Sequence, residues 1–216
     1  VGASRADRMT TITHRQRWPV EFPQPPISDA LISGDAECLA GFSSRGPCDD
    51  ERIKPDVVAP GTCIMSARSS RAPASKFESL DPSGLYGSMS GTSMAAPIVA
   101  GLAAILRQFF LEDRGHDPSA ALVKATIVAG ARPLTGTDAT LGGLGLPNPD
   151  QGFGRADLAG TLPGDNRHLA FIDTLRAPHA LYAFDRTGVR RRFELNVNRP
   201  GPLTVALVWT DRPGRS

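Results

Sequence analysis

The sequence has no excess of charge of either sign. Its 216 residues include 24 Lys+Arg and 22 Asp+Glu, a formal net charge of +2. That balance gives no reason to expect nucleic acid or an anionic membrane as a partner. Aromatic residues are scarce: nine Phe, two Trp and two Tyr, scattered along the chain, do not make a base-stacking platform. The longest basic run, Arg190-Arg191-Arg192, sits between Val189 and Phe193 and reads as one edge of a strand. No segment reads as a signal peptide or as a transmembrane run. Several catalytic signatures are missing too. There is no His-Glu-x-x-His, no Walker A, no Cys-x-x-Cys and no Rossmann fingerprint. Gly87-x-Met89-x-Gly91 has the frame of an α/β-hydrolase elbow but no serine at its centre.

Turn-forming residues are abundant, with 22 Gly and 19 Pro. The 40% hydrophobic and 21% charged content still allows a sizeable core and argues against disorder. Residues 1–4 read as the end of a strand. Residues 5–36, carrying Pro19, Pro23, Pro25 and Pro26, read as an extended surface excursion without helix. Asp56-Val57-Val58-Ala59, bounded by Lys54-Pro55 and Pro60-Gly61, predicts a buried strand closed by a turn. A second strand over Cys63–Ala67 and a polar loop over 69–85 follow. The strongest helix begins near Ser93, where Ile98, Leu102, Ile105, Leu106 and Phe109 predict one apolar face. Its many Ala and Gly residues predict a central position. Asp117-Pro118 predicts the cap of a second helix over Ser119–Ala129, and 155–161 a short third one. From about Arg167 the runs Leu169–Ile172, Leu181–Phe184, Arg192–Val197 and Leu203–Trp209 predict an all-β unit.

The most informative segment is Gly87-Ser88-Met89-Ser90-Gly91-Thr92-Ser93-Met94-Ala95-Ala96-Pro97. It places a serine at the start of the long helix, just after a glycine-containing turn. Free N–H groups and partial positive charge at a helix N-terminus favour developing negative charge. A serine there has two readings: an ordinary N-cap, or a nucleophile whose own N–H helps hold an oxyanion.

The whole string decides between them. Gly91-Thr92-Ser93-Met94-Ala95-Ala96-Pro97 resembles the nucleophile motif of subtilisin-like serine peptidases, the subtilases. Three further segments are similar to landmarks of the same family, in the same order: Phe42–Pro47, Lys54–Gly61 and Gln151–Asp157. The resemblance runs from Val1 to about Leu162. Residues 167–216, with Leu203–Asp211, resemble the β-barrel that follows the catalytic domain in the oxidant-stable alkaline protease branch. Ile98, where the family often has His, fits that branch. The fold implied is α/β: residues 1–162 as the C-terminal half of a subtilisin-like parallel-sheet domain, and 167–216 as the start of a jelly-roll or β-barrel.

The activity implied is serine endopeptidase, with Ser93 as catalytic nucleophile and a protein or peptide as substrate. Subtilases use Asp, His and Ser in that order along the chain. The chain opens at Val1 without Met and closes at Arg215-Ser216 in an apparent turn, so it reads as a fragment. The Asp, the His and the oxyanion Asn are expected upstream in the same protein, and the isolated chain is expected to be inactive. His14, His116, His168 and His179 read as solvated surface residues. No cofactor is required for this chemistry. The family implies structural calcium, with Asp49-Asp50-Glu51 and Asp211 as candidates, against a plainly solvated acidic loop. Cys48 and Cys63 flank the Asp56–Ala59 strand, so a disulfide there and three buried thiols, Cys38 included, both stand. The resemblance implies a secreted protein. Two rival readings remain: a catalytically inactive subtilase used as a scaffold, and a serine esterase.

Overall fold

The computed structural model describes residues 1–140, 145–164, 167–197 and 200–210. The chain divides into two units, one of residues 1–101 and 131–156, the other of residues 102–130 and 157 onward.

In the first unit, β1 (Gly2–Ser4) pairs in parallel with β2 (Val58–Pro60), Ala3 opposite Ala59. Every residue of β1 is buried, as expected for a parallel strand covered on both faces. β2 begins two residues later and ends one residue later than the sequence predicts, and just before it Asp56 pairs with Lys54 Nζ at 2.5 Å. β3 (Ile64–Ala67), β4 (Ser79–Leu80) and β5 (Tyr86–Met89) form an antiparallel sheet in the order β3-β5-β4. The stretch 69–85 is therefore not wholly loop: it holds β4 and a 3₁₀ turn over Ala74–Lys76. Residues 5–36 also carry a helical turn, α1 (His14–Arg17). It fits in the gap before Pro19, started by a capping box in which Thr13 and Gln16 exchange side-chain bonds.

α2 (Thr92–Asp113) is 22 residues long and runs from the first unit into the second. Its buried residues are Ala95, Leu102, Leu106 and Phe110, a stripe displaced from the predicted face. Ile98 and Ile105 are exposed, at 39% and 43%. Contrary to the reading of the sequence, α2 is long and apolar enough to cross a membrane, with a mean hydropathy of 1.7 over its apolar window. Alternating Ala, Gly and aliphatic residues produce that value, and only 22% of the window is buried.

In the second unit, α3 (Ala120–Ala129) is capped by Ser119, whose side chain accepts the Leu122 N–H at 3.1 Å. The predicted Asp117-Pro118 cap is not used, because Arg107 and Arg176 hold the Asp117 carboxylate. α4 (Leu158–Thr161) is capped by Asp157. Among the described residues from 167 onward there is no strand, only a 3₁₀ turn over His179–Tyr182. The predicted strands find no ladder partners there. Phe193, Leu195, Val197, Leu203, Val205, Leu207 and Trp209 stand exposed instead. A strand without a partner leaves its backbone groups to water, and apolar alternation alone does not hold it. Asp211 lies outside the described residues.

No disulfide forms, and Cys38, Cys48 and Cys63 are free thiols. Cys48 lies in a turn closed by Arg52, whereas the Cys63 thiol faces Thr10, Ser33 and Glu78. Cys38 donates to Asp35 Oδ2 at 3.2 Å, and burial with this bond pushes its pKa up to about 12. The surface reading of the histidines fails at two positions. His14, 1% exposed, packs against Trp18 and Phe22 with Nδ1 on the Ala30 carbonyl at 2.8 Å. Burial lowers its pKa. His116 is buried against Phe110 and Phe171, with Nε2 at 3.1 Å from Asp173 Oδ2.

Two polar clusters order the 131–156 segment, one inside it and one tying it to Glu37. The first is Gln151, 1% exposed, which accepts the Leu134 N–H at 2.7 Å. It also donates to the carbonyls of Leu134 and Ala139. Gln151→Ala leaves these buried groups unpaired, and the expected loss is about 2–3 kcal/mol in denaturant unfolding. The control Gln108→Ala, on an exposed helix face, should move stability by less than about 0.5 kcal/mol. The second is Glu37, which takes Arg132 at 2.6 Å and the Thr135 N–H and hydroxyl at 3.2 Å each. The Arg132 bond is the largest cause lowering its pKa from 4.5 to about 2. A depressed carboxyl contributes stability that is present above its unfolded value and lost as pH falls through its folded value. Glu37→Gln should flatten the decline of stability between pH 4.5 and 2; an unchanged pH slope in the variant would contradict the pairing.

Candidate active site

Ser93 lies in the first turn of α2 and is exposed, two residues before the fully buried Ala95. Backbone bonding at this helix start begins with Met94 N–H to Gly91 O at 3.0 Å and Ala95 N–H to the same carbonyl at 3.4 Å. The N–H groups of Thr92 and Ser93 find no backbone acceptor among the described residues. Ser93 Oγ likewise has no hydrogen-bond partner among them. The helix therefore presents a free hydroxyl beside two free donors, at the end where its dipole is positive. This arrangement favours a negative charge on an atom placed above Ser93.

Close backbone contact fixes the turn before Ser93. Gly91 N–H donates to Gly61 O at 2.7 Å, and Gly61 N–H donates to Ser4 O at 2.9 Å. A Cβ at Gly61 would lie 2.6 Å from Ala3 Cβ and 2.9 Å from Gly91 O. Ala3, Ala40, Ala59 and Ala95 make the small-residue cluster beneath, with Phe42 and Val99 packed on it. Ser90 adds a tie absent from the motif reading: its Oγ accepts the Cys63 N–H at 2.9 Å. β5 leads into this turn, so the hairpin bearing Cys63 and the loop bearing Ser93 are held together.

The predicted landmarks meet in the same unit. Gly46, in the Phe42–Pro47 segment, faces Lys54 so closely that a Cβ would lie 2.1 Å from its carbonyl oxygen. Gly152 has φ +63°, and a Cβ there would be 1.9 Å from Pro55 O. Phe153 N–H donates to Asp56 O, Val58 N–H to Gly154 O and Ala156 N–H to Val58 O, at 2.9–3.0 Å. The Lys54–Gly61 and Gln151–Asp157 motifs are thus two sides of one backbone ladder. Ser43 Oγ accepts the Ala3 N–H at 2.9 Å, joining the Phe42–Pro47 motif to β1.

The histidines have other partners. His14 is bound to Ala30, His116 to Asp173, and His179 Nδ1 accepts the Asp173 N–H at 3.2 Å. Among the described residues no group of three or more His, Cys, Asp and Glu side chains is arranged to hold a metal. Of the calcium candidates, Asp50 is drawn to its neighbour Arg52 at 2.7 Å, the first cause of its lowered pKa.

Residues 5–154 match the family described as "Subtilase family". The serine protease/ABC transporter B family protein tagA of Dictyostelium discoideum is 31% identical over 189 residues, covering 80% of this chain and 10% of that protein. Serine protease AprX of Bacillus subtilis is 49% identical over 80 residues, covering 35% of this chain and 17% of AprX. Among solved structures, the Clostridium perfringens CspB protease matches at 34% identity with a TM-score of 0.44, over 57% of this chain and 23% of that one. The chain thus spans only 10–17% of the length of the two curated relatives.

Gly61→Ala should disturb this turn most directly, because neither Ala3 Cβ nor Gly91 O belongs to a flexible side chain that can retreat. The expected cost is about 1–3 kcal/mol. Gly101→Ala, whose Cβ enters open space, should be neutral or stabilising by up to about 1 kcal/mol. Thermal unfolding of both variants checks the contrast.

Proposed function

This chain belongs to the subtilase family, a family of subtilisin-like serine peptidases, and from that premise we propose that it supplies the nucleophile of a serine endopeptidase. Ser93 Oγ attacks the substrate carbonyl to give an acyl-enzyme, and the Ser93 N–H donates to the oxyanion. The observation that carries this reading is the unpartnered Ser93 hydroxyl on a helix start with free N–H groups, inside the family's motif. The general base, its orienting carboxylate and the second oxyanion donor come from polypeptide outside residues 1–216. The exposed apolar side of α2, with Ile98 and Ile105, supports this, since it is a surface that more polypeptide would cover. Residues from 167 onward are proposed as the opening strands of a β-barrel. The exposed alternation of Leu203, Val205, Leu207 and Trp209 fits strands that await partners. Secretion, protein or peptide substrates and a requirement for no catalytic cofactor belong to the same reading.

The test uses a longer polypeptide that includes the upstream part of the same protein. It should react with a fluorophosphonate probe and hydrolyse casein, and Ser93→Ala should abolish both. In subtilisin the loss of the serine alone costs about 2 × 10⁶ in turnover. Casein hydrolysis surviving Ser93→Ala would overturn the nucleophile assignment. Absence of labelling in the unmutated long protein would favour an inactive scaffold instead. Ester cleavage without peptide cleavage would point to an esterase.

A further inference from the structure

Within the second unit, residues 171–179 are clasped onto the C-terminal end of α2 and the start of α3. Phe171 packs edge-on against Phe110, with ring centroids 5.1 Å apart, and lies 5.0 Å from His116 and 5.5 Å from His179. Asp173, 4% exposed, takes the Ser119 N–H on Oδ2 at 2.7 Å, so an aspartate 54 positions away satisfies a free donor at the start of α3. The same oxygen takes His116 Nε2 at 3.1 Å, and Oδ1 takes the Leu175 N–H at 3.4 Å. Arg107 and Arg176 share the Asp117 carboxylate, at 2.7 and 3.7 Å, so both arginines beside the clasp are paired. His179, half-buried, closes the clasp: its Nδ1 accepts the Asp173 N–H at 3.2 Å, and its ring lies 5.8 Å from that of His116.

An imidazole nitrogen accepts a hydrogen bond only while it carries no proton. A proton taken from solvent onto His179 Nδ1 uses the lone pair that holds the Asp173 N–H and sets two donors against each other. It also places a positive charge beside a second imidazole that is itself donating to Asp173. We propose that His179 is a proton-operated latch: with Nδ1 unprotonated it holds residues 171–179 on α2 and α3, and its protonation across the histidine range, about pH 7 to 5.5, releases them. The sign follows from counting protons. The released segment binds one more proton than the held one, so acid favours release. Asp173 does not produce a step in that range. Burial opposes its ionisation, but the donors from Ser119, His116 and Leu175 outweigh burial and lower its pKa from 3.8. Its contribution is therefore present above pH 3.8 and is lost only as pH falls on through the folded value.

The test is hydrogen–deuterium exchange of the full chain at about pH 7.5 and 5.5, corrected for intrinsic exchange, reading peptides that span 171–183. Protection there should fall about tenfold on acidification, since one linked proton gives at most tenfold per pH unit, while peptides from β2 keep theirs. His179→Asn puts an amide oxygen in place of Nδ1 and cannot titrate. It should keep the protection at the higher pH and lose less than about twofold at the lower one. His116→Gln keeps a donor for Asp173 and should leave the acid response in place. Equal protection of the unmutated chain at both pH values, a parallel loss in β2, or an acid response that survives His179→Asn would overturn the proposal. If His179→Asn fails to dock, the His116→Gln arm still decides, because a response that vanishes there belongs to the other imidazole and overturns the assignment. The readout is segment protection, so it stands or falls independently of the peptidase reading.

Discussion

The approach of two glycine backbones organises the first unit. Gly61 closes β2 and Gly91 precedes α2, and the 2.7 Å bond between them brings the sheet's end against the helix start. Neither β1 nor the turn before Ser93 could keep its place if Gly61 carried a side chain, because the space is already filled by Ala3 and the Gly91 carbonyl. The alanines beneath repeat the constraint, since Ala3, Ala59 and Ala95 are fully buried. Small residues here are a condition of close packing between strand and helix, and that packing fixes the orientation of Ser93.

The same logic explains the other landmarks. Gly46, Gly152 and Gly154 lie where a Cβ would collide with a neighbouring backbone, so each motif glycine marks a place where two segments touch. Polar side chains then lock the contacts from the side. Gln151 bridges to Leu134 and Ala139, Arg45 reaches Asp150 at 2.5 Å, and Arg155 reaches the Ala36 carbonyl at 2.8 Å. Buried groups paired in this way specify one arrangement, because any slip leaves several of them unsatisfied.

The two helices that follow the motif were legible in sequence because their apolar spacing is long and regular. Their details were less so. The buried stripe of α2 is set by which neighbours exist, and Ile98 and Ile105 lie outside it although their spacing qualifies. The cap of α3 moved from Asp117 to Ser119 because arginines distant in sequence claim the aspartate. The β character after Arg167 was read from alternation, but alternation gives a strand only when a partner offers its hydrogen bonds. Buried histidines escaped sequence reading for a related cause: His14 is enclosed by Trp18 and Phe22, residues whose packing no local pattern announces.

By itself the sequence determined the family, the position of Ser93 at a helix start and the presence of β1, β2 and β3, because motif glycines, helical spacing and β-branched runs are local signals. Only the tertiary structure decided that Ser90 ties Cys63 to that turn, that three thiols stay unpaired, and that Glu78 is buried with an oxygen left over. Those outcomes depend on residues far apart in the chain arriving at one place. Burial and hydrogen bonding there are properties of the assembled neighbours, which no single stretch of sequence contains.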